Sequence, residues 1–187
     1  MPRSSLGGTA LRAGWIVCAL AAAACGPTLH ERVRRGDLQG LRAAVEGGAD
    51  LGASEADGVT ALHVAAVQGR SDAALLLLDH GASVHALTVR DRNTPLHAAA
   101  LTGRAEIARL LIERGADLEA RNSDGMTPLL FWAAYSGDIA CGRVLLDAGA
   151  DPRAASKRGL TPLHWAALRW DVPVIELLLA AGADPEA

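Results

Sequence analysis

The chain has 187 residues, room for one ordinary domain. Half of them are hydrophobic yet only 3% are aromatic, so alanine and leucine supply most of the apolar volume, which suits thin repeated helical layers better than a bulky globular centre. The formal net charge is −3 and Lys157 is the single lysine, which leaves no electrostatic case for binding nucleic acid.

Residues 1–12 carry Arg3 and Arg12 and no acid, and an apolar run fills residues 13–24. A positive start, a short apolar stretch and small residues before a break make a secretory signal. The run is too short to span a bilayer, which takes about 20 apolar residues. Cys25-Gly26-Pro27 supplies the break, because glycine and proline end a helix. Loss of the residues before Cys25 removes two positive charges and takes the net charge from −3 to −5. The stretch from Leu20 to Gly26 resembles a bacterial lipoprotein signal, although Ala22 stands where leucine is more usual. That resemblance implies a lipid-bearing Cys25 at the mature N-terminus, held in a membrane by its acyl chains, and Gly26 resembles the outer-membrane choice. A plain signal cut near Ala24, with release into the periplasm, is the alternative.

From residue 28 onward the chain repeats itself. One tetrapeptide returns at Thr60-Ala-Leu-His63, Thr94-Pro-Leu-His97, Thr127-Pro-Leu-Leu130 and Thr161-Pro-Leu-His164, with steps of 34, 33 and 34 between the threonines. Gly-Ala returns at Gly48, Gly81, Gly115, Gly149 and Gly182. A third landmark runs Gly36, Gly69, Gly103, Gly137 and then Trp170, always 12 residues before the next Gly-Ala. Threonine caps each helix through its hydroxyl, and Pro95, Pro128 and Pro162 occupy the next position, where a helix has no use for an N–H. In the second helices Ile107, Leu110 and Leu111 recur as Ala73, Leu76 and Leu77, as Cys141, Val144 and Leu145, and as Val174, Leu177 and Leu178, one apolar stripe per helix.

These landmarks resemble the ankyrin repeat. The resemblance implies an all-α solenoid of stacked helix-turn-helix units with hairpin loops. Residues 1–24 then form the signal and 25–187 the repeat domain, with copies at about 28–56, 57–90, 91–123, 124–157 and 158–187, the first degenerate as a terminal copy. The resemblance further implies that the signature histidines hydrogen-bond to backbone near the adjacent hairpin. Cys141 takes an apolar slot and is expected to be a small buried residue rather than a redox centre. No nucleophile elbow, zinc motif, phosphate loop or dinucleotide pattern occurs, so no enzyme, metal or cofactor is expected.

Similar arrays bind protein partners on their concave face, so departures from the repeat are informative. Beyond Trp15, all the aromatic residues fall in the last two copies: Phe131, Trp132, Tyr135, Trp165 and Trp170. A contact patch is expected from Met126 through Trp132, Tyr135, Leu160 and Trp165 to Arg169, with a basic edge at Lys157 and Arg158. Alternatively the rings shield the edge of the last copy, a role that Trp170 fits best. Copy four holds one extra residue between Thr127 and Gly137, which turns the residues beyond it by about 100° and leaves open whether Phe131 or Trp132 faces the groove. Leu130, in the histidine slot, puts the signature bond of that copy in question. A second insertion before Thr94, with Arg92 in a glycine slot, predicts an irregular hairpin. The expected function is an exported monomeric scaffold or adaptor for an envelope protein. A periplasmic inhibitor or immunity protein, or an intracellular adaptor without the signal, are the alternatives.

Overall fold

A computed structural model describes residues 26–186. The leader and Cys25 lie outside the described residues. Within them ten helices form five pairs: α1 (Leu29–Arg35) with α2 (Leu38–Glu46), α3 (Ala61–Gln68) with α4 (Ser71–Asp79), α5 (Pro95–Leu101) with α6 (Ala105–Glu113), α7 (Pro128–Tyr135) with α8 (Ile139–Asp147), and α9 (Pro162–Leu168) with α10 (Val172–Ala180). The first helices pack side by side in one layer and the second helices in another, each pair touching its neighbours in sequence. The chain is therefore an all-helical solenoid. Among the described residues no helix is long and apolar enough to cross a membrane.

The threonines start their helices as their chemistry demands. Thr94, Thr127 and Thr161 accept the backbone N–H of the residue three positions on, and the proline after each sits in the first turn. Each first helix ends at a left-handed residue: Gly36, Gly69, Gly103 and Gly137 at φ 66° to 71°, and Trp170 at φ 56°. Consecutive hairpins are stitched by single backbone bonds, from Val89 N–H to Asp57 O at 2.7 Å, Ser123 N–H to Asp91 O at 2.8 Å and Lys157 N–H to Asp124 O at 3.0 Å. The hairpin with the inserted residue is irregular as expected. Glu55 and Gly58 close the regular turn, whereas Thr88 and Arg92 close a turn one residue wider, with Arg92 at φ 55°.

The interior is one continuous stripe of small and branched side chains. Leu62, Leu96 and Leu129 repeat in the first layer, and Leu77, Leu111, Leu145 and Leu178 in the second, all essentially without solvent contact. Cys141 lies among them fully buried, and burial pushes its thiol up to about 12, far from a reactive thiolate.

Candidate partner-binding surface

The signature histidines tie copies together. His63 Nδ1 takes the Thr60 backbone N–H at 3.2 Å and its Nε2 contacts Asn93 O at 3.1 Å. His97 does the same with Thr94 N–H at 3.3 Å and Met126 O at 2.9 Å. An imidazole that accepts at Nδ1 must carry its proton on Nε2, so the ring donates to the next hairpin's carbonyl. His30 makes the equivalent bond to Val59 O at 2.8 Å. Sequence reasoning missed His30, although it stands 33 residues before His63. Burial holds both His63 and His97 below the usual histidine range, His97 at about 4.

The expected contact residues divide sharply. Trp132 is a correction: it is fully buried, and its indole N–H donates to Asp138 O at 2.7 Å. The physical reason lies in where the inserted residue falls. Thr127 caps α7 normally through Leu130 N–H, so the helix stays in register from its start. The extra residue is taken up past the last turn, where Ser136 N–H and Gly137 N–H both bond Trp132 O. Counted from threonine, Trp132 occupies the inward slot of Ala65, Ala99 and Ala166, all 0% exposed. Phe131 takes the neighbouring slot and faces the groove. Met126 is a second correction, being buried with its carbonyl bonded to His97.

Arg169 is exposed, but its guanidinium is occupied: it donates to Ala134 O at 3.0 Å and Tyr135 O at 2.7 Å, capping the end of α7. Lys157 is likewise tied to Ser123 O at 2.6 Å. Leu160 sits half-buried on the last hairpin. Tyr135 is half exposed and Trp165 partly so, and these two do come together, with ring centroids 6.4 Å apart and near-parallel planes. Phe131 joins them edge-on to Tyr135 at 4.7 Å and meets His97 at 5.8 Å. Trp170 shields nothing, for it is 88% exposed.

A groove of about 350 Å³ lies beside this aromatic ladder, on the first-helix layer. Its walls include Val64, Val67, Ala98, Leu101 and Phe131. Val67 and Leu101 are exposed apolar residues at the same repeat position. Arg34 and Glu55 close the N-terminal end with a bidentate ion pair at 2.6 and 2.7 Å, and the guanidinium holds the Glu55 carboxyl below its ordinary range. Sequence reasoning followed aromatic residues and gave no weight to Val67 and Leu101, which line this groove.

Stacked helical pairs, a shared interior and an open groove define a repeat solenoid built for binding surfaces. Residues 29–122 and 119–187 match the family model described as ankyrin repeats (3 copies), and the chain belongs to the ankyrin-repeat family. It is a protein–protein interaction module. No curated protein matches it.

Proposed function

We propose that this chain is an exported, non-catalytic adaptor or scaffold that holds an envelope protein on its concave face. The observation that carries the binding reading is the run of exposed apolar side chains Val67 and Leu101 beside the Phe131–Tyr135–Trp165 ladder. An apolar strip with aromatic anchors and a charged rim at Arg34 and Glu55 is the anatomy of a protein interface. The Trp165 indole N–H adds support, since it is buried with no acceptor among the described residues, a placement that fold stability alone does not favour. Export rests on Arg3, Arg12, the apolar run at 13–24 and Cys25, which carries the lipid anchor in this reading.

The test is affinity capture from the envelope fraction with the parent chain and a Val67→Arg, Leu101→Arg double variant. Both positions are surface-exposed, so the helical circular dichroism should be retained. The expected result is at least a tenfold loss of captured protein with the double variant. Equal capture by the two chains overturns the groove assignment.

A further inference from the structure

The hairpin turns differ in strain and in charge. Gly58, Gly125 and Gly159 close the first, third and fourth in the left-handed region, at φ 74° to 77°, where glycine meets no penalty. Arg92 closes the second at φ 55°, a conformation that disfavours any residue with a Cβ. Its side chain does nothing to offset that inside the fold. It is exposed, and among the described residues its guanidinium has no hydrogen-bond partner and no carboxylate within reach. Strain kept without an internal use points to a use outside the chain.

Arg92 does not stand alone. From the second hairpin to the fourth, the exposed edge carries Arg90, Arg92, Arg121, Lys157 and Arg158, against Asp91 and Asp124. Beyond the leader the chain as a whole is at −5, so this edge runs against the charge of the domain. Arg121 donates to Gly125 O and Ala155 O, and Lys157 to Ser123 O, but those acceptors are neutral and leave both charges in place. Arg90 comes only within 4.0 Å of Asp57, both highly exposed, and such a pair contributes little. Arg158 engages only its backbone N–H, on Ser156 Oγ. The row stands at the rim of the concave groove, because Thr88 and Asn93, on either side of Arg90 and Arg92, line its wall.

We propose that the groove takes an extended, acidic segment of the partner protein, with carboxylates along this edge and apolar side chains between Val67, Leu101 and Phe131. The inference rests on the adaptor reading above and names the chemistry of what is held. Charge complementarity selects the occupant, because a guanidinium fork matches a carboxylate with two parallel bonds. A basic segment would meet five like charges, and a neutral one would leave Arg92 without a role. Spacing selects the form. Helices in contact lie about 8–10 Å apart, and the hairpins stitched between them follow the same step. An extended chain covers about 10 Å in three residues, so one acidic side chain in three meets successive hairpins.

Fluorescence anisotropy on the full chain tests this with a labelled leucine–serine peptide carrying glutamate at every third position, beside versions carrying lysine or serine there. The parent should bind the glutamate peptide at least tenfold more tightly than the serine peptide and should not bind the lysine peptide. That affinity should fall severalfold between about 50 and 300 mM salt as the charges are screened. Arg92→Gly should weaken the glutamate peptide at least threefold while melting at the same or a higher temperature, because glycine relieves the left-handed turn. Arg158→Gln should weaken it to a similar degree with circular dichroism intact. Equal affinity for the glutamate and serine peptides overturns the proposal, as do preference for lysine, no binding of the glutamate peptide up to about 1 mM, or an Arg92→Gly chain that binds like the parent. Dimerisation of the peptide-free parent that Arg92→Gly abolishes would make a second copy the occupant instead. Envelope capture by the parent that Val67→Arg, Leu101→Arg abolishes, without any preference for glutamate, would leave the groove standing and remove the acidic occupant.

Discussion

His97 shows how one side chain can carry both fold and pH dependence. It is completely buried, takes the Thr94 N–H and gives its own proton to Met126 O. Its native pKa of about 4 lies below the unfolded value of 6.5, so between those limits the unfolded chain binds a proton that the native chain refuses. Stability from this residue is therefore full above about pH 6.5 and falls as the pH drops toward 4. His63, also lowered by burial, acts in the same direction. Urea midpoints should fall between pH 7.5 and pH 4.5. His97→Leu should flatten that slope while costing about 1–2 kcal/mol at neutral pH from the lost bond. An unchanged slope would assign the effect to other groups. The bonds of His63 and His97 to the next hairpin were anticipated through the resemblance to the ankyrin signature, and spacing alone would not have given them. The groove role of Phe131 was not, since one inserted residue made two neighbouring rings equivalent on paper.

At the scale of elements, Trp132 is balanced by Gly142 across the α7–α8 contact. Copy three has Ala99 and Ala108 in the same two slots, both fully buried. In copy four the first has grown to an indole and the second has shrunk to a glycine, on whose missing Cβ the indole ring lies. The exchange keeps the layer spacing of the solenoid at nearly constant volume. Trp132→Ala should cost about 3–5 kcal/mol by leaving a cavity. Gly142→Ala should cost about 1–3 kcal/mol by overpacking. The double variant should lose clearly less than the sum, because it restores the alanine pair of copy three. Additive losses in urea unfolding would mean that the two residues do not share one space. Nothing in the sequence exposed this pairing, because the register of α7 depends on where the helix releases its extra residue.

For the whole molecule, landmarks repeating every 33 or 34 residues made the solenoid legible from the sequence. The groove was not legible at this scale: Val67 and Leu101 read like any exposed helix positions until the stacked layers set them in one wall with Phe131. The exported reading adds a prediction about the intact protein. Mass spectrometry of chain recovered from membranes should show an N-terminus at Cys25 bearing acyl chains, and Cys25→Ser should move the protein out of the detergent phase. An intact Met1 terminus in the aqueous phase would rule out processing.

The single backbone bonds between hairpins have a mechanical consequence. Asp57 holds Val89, Asp91 holds Ser123 and Asp124 holds Lys157, so each link in the row grips only the next. Each layer touches only its neighbours, so a displacement at one tip reaches a distant copy only through every copy between them. A guest grasped in the middle can therefore bend the row locally while both extremities keep their shape.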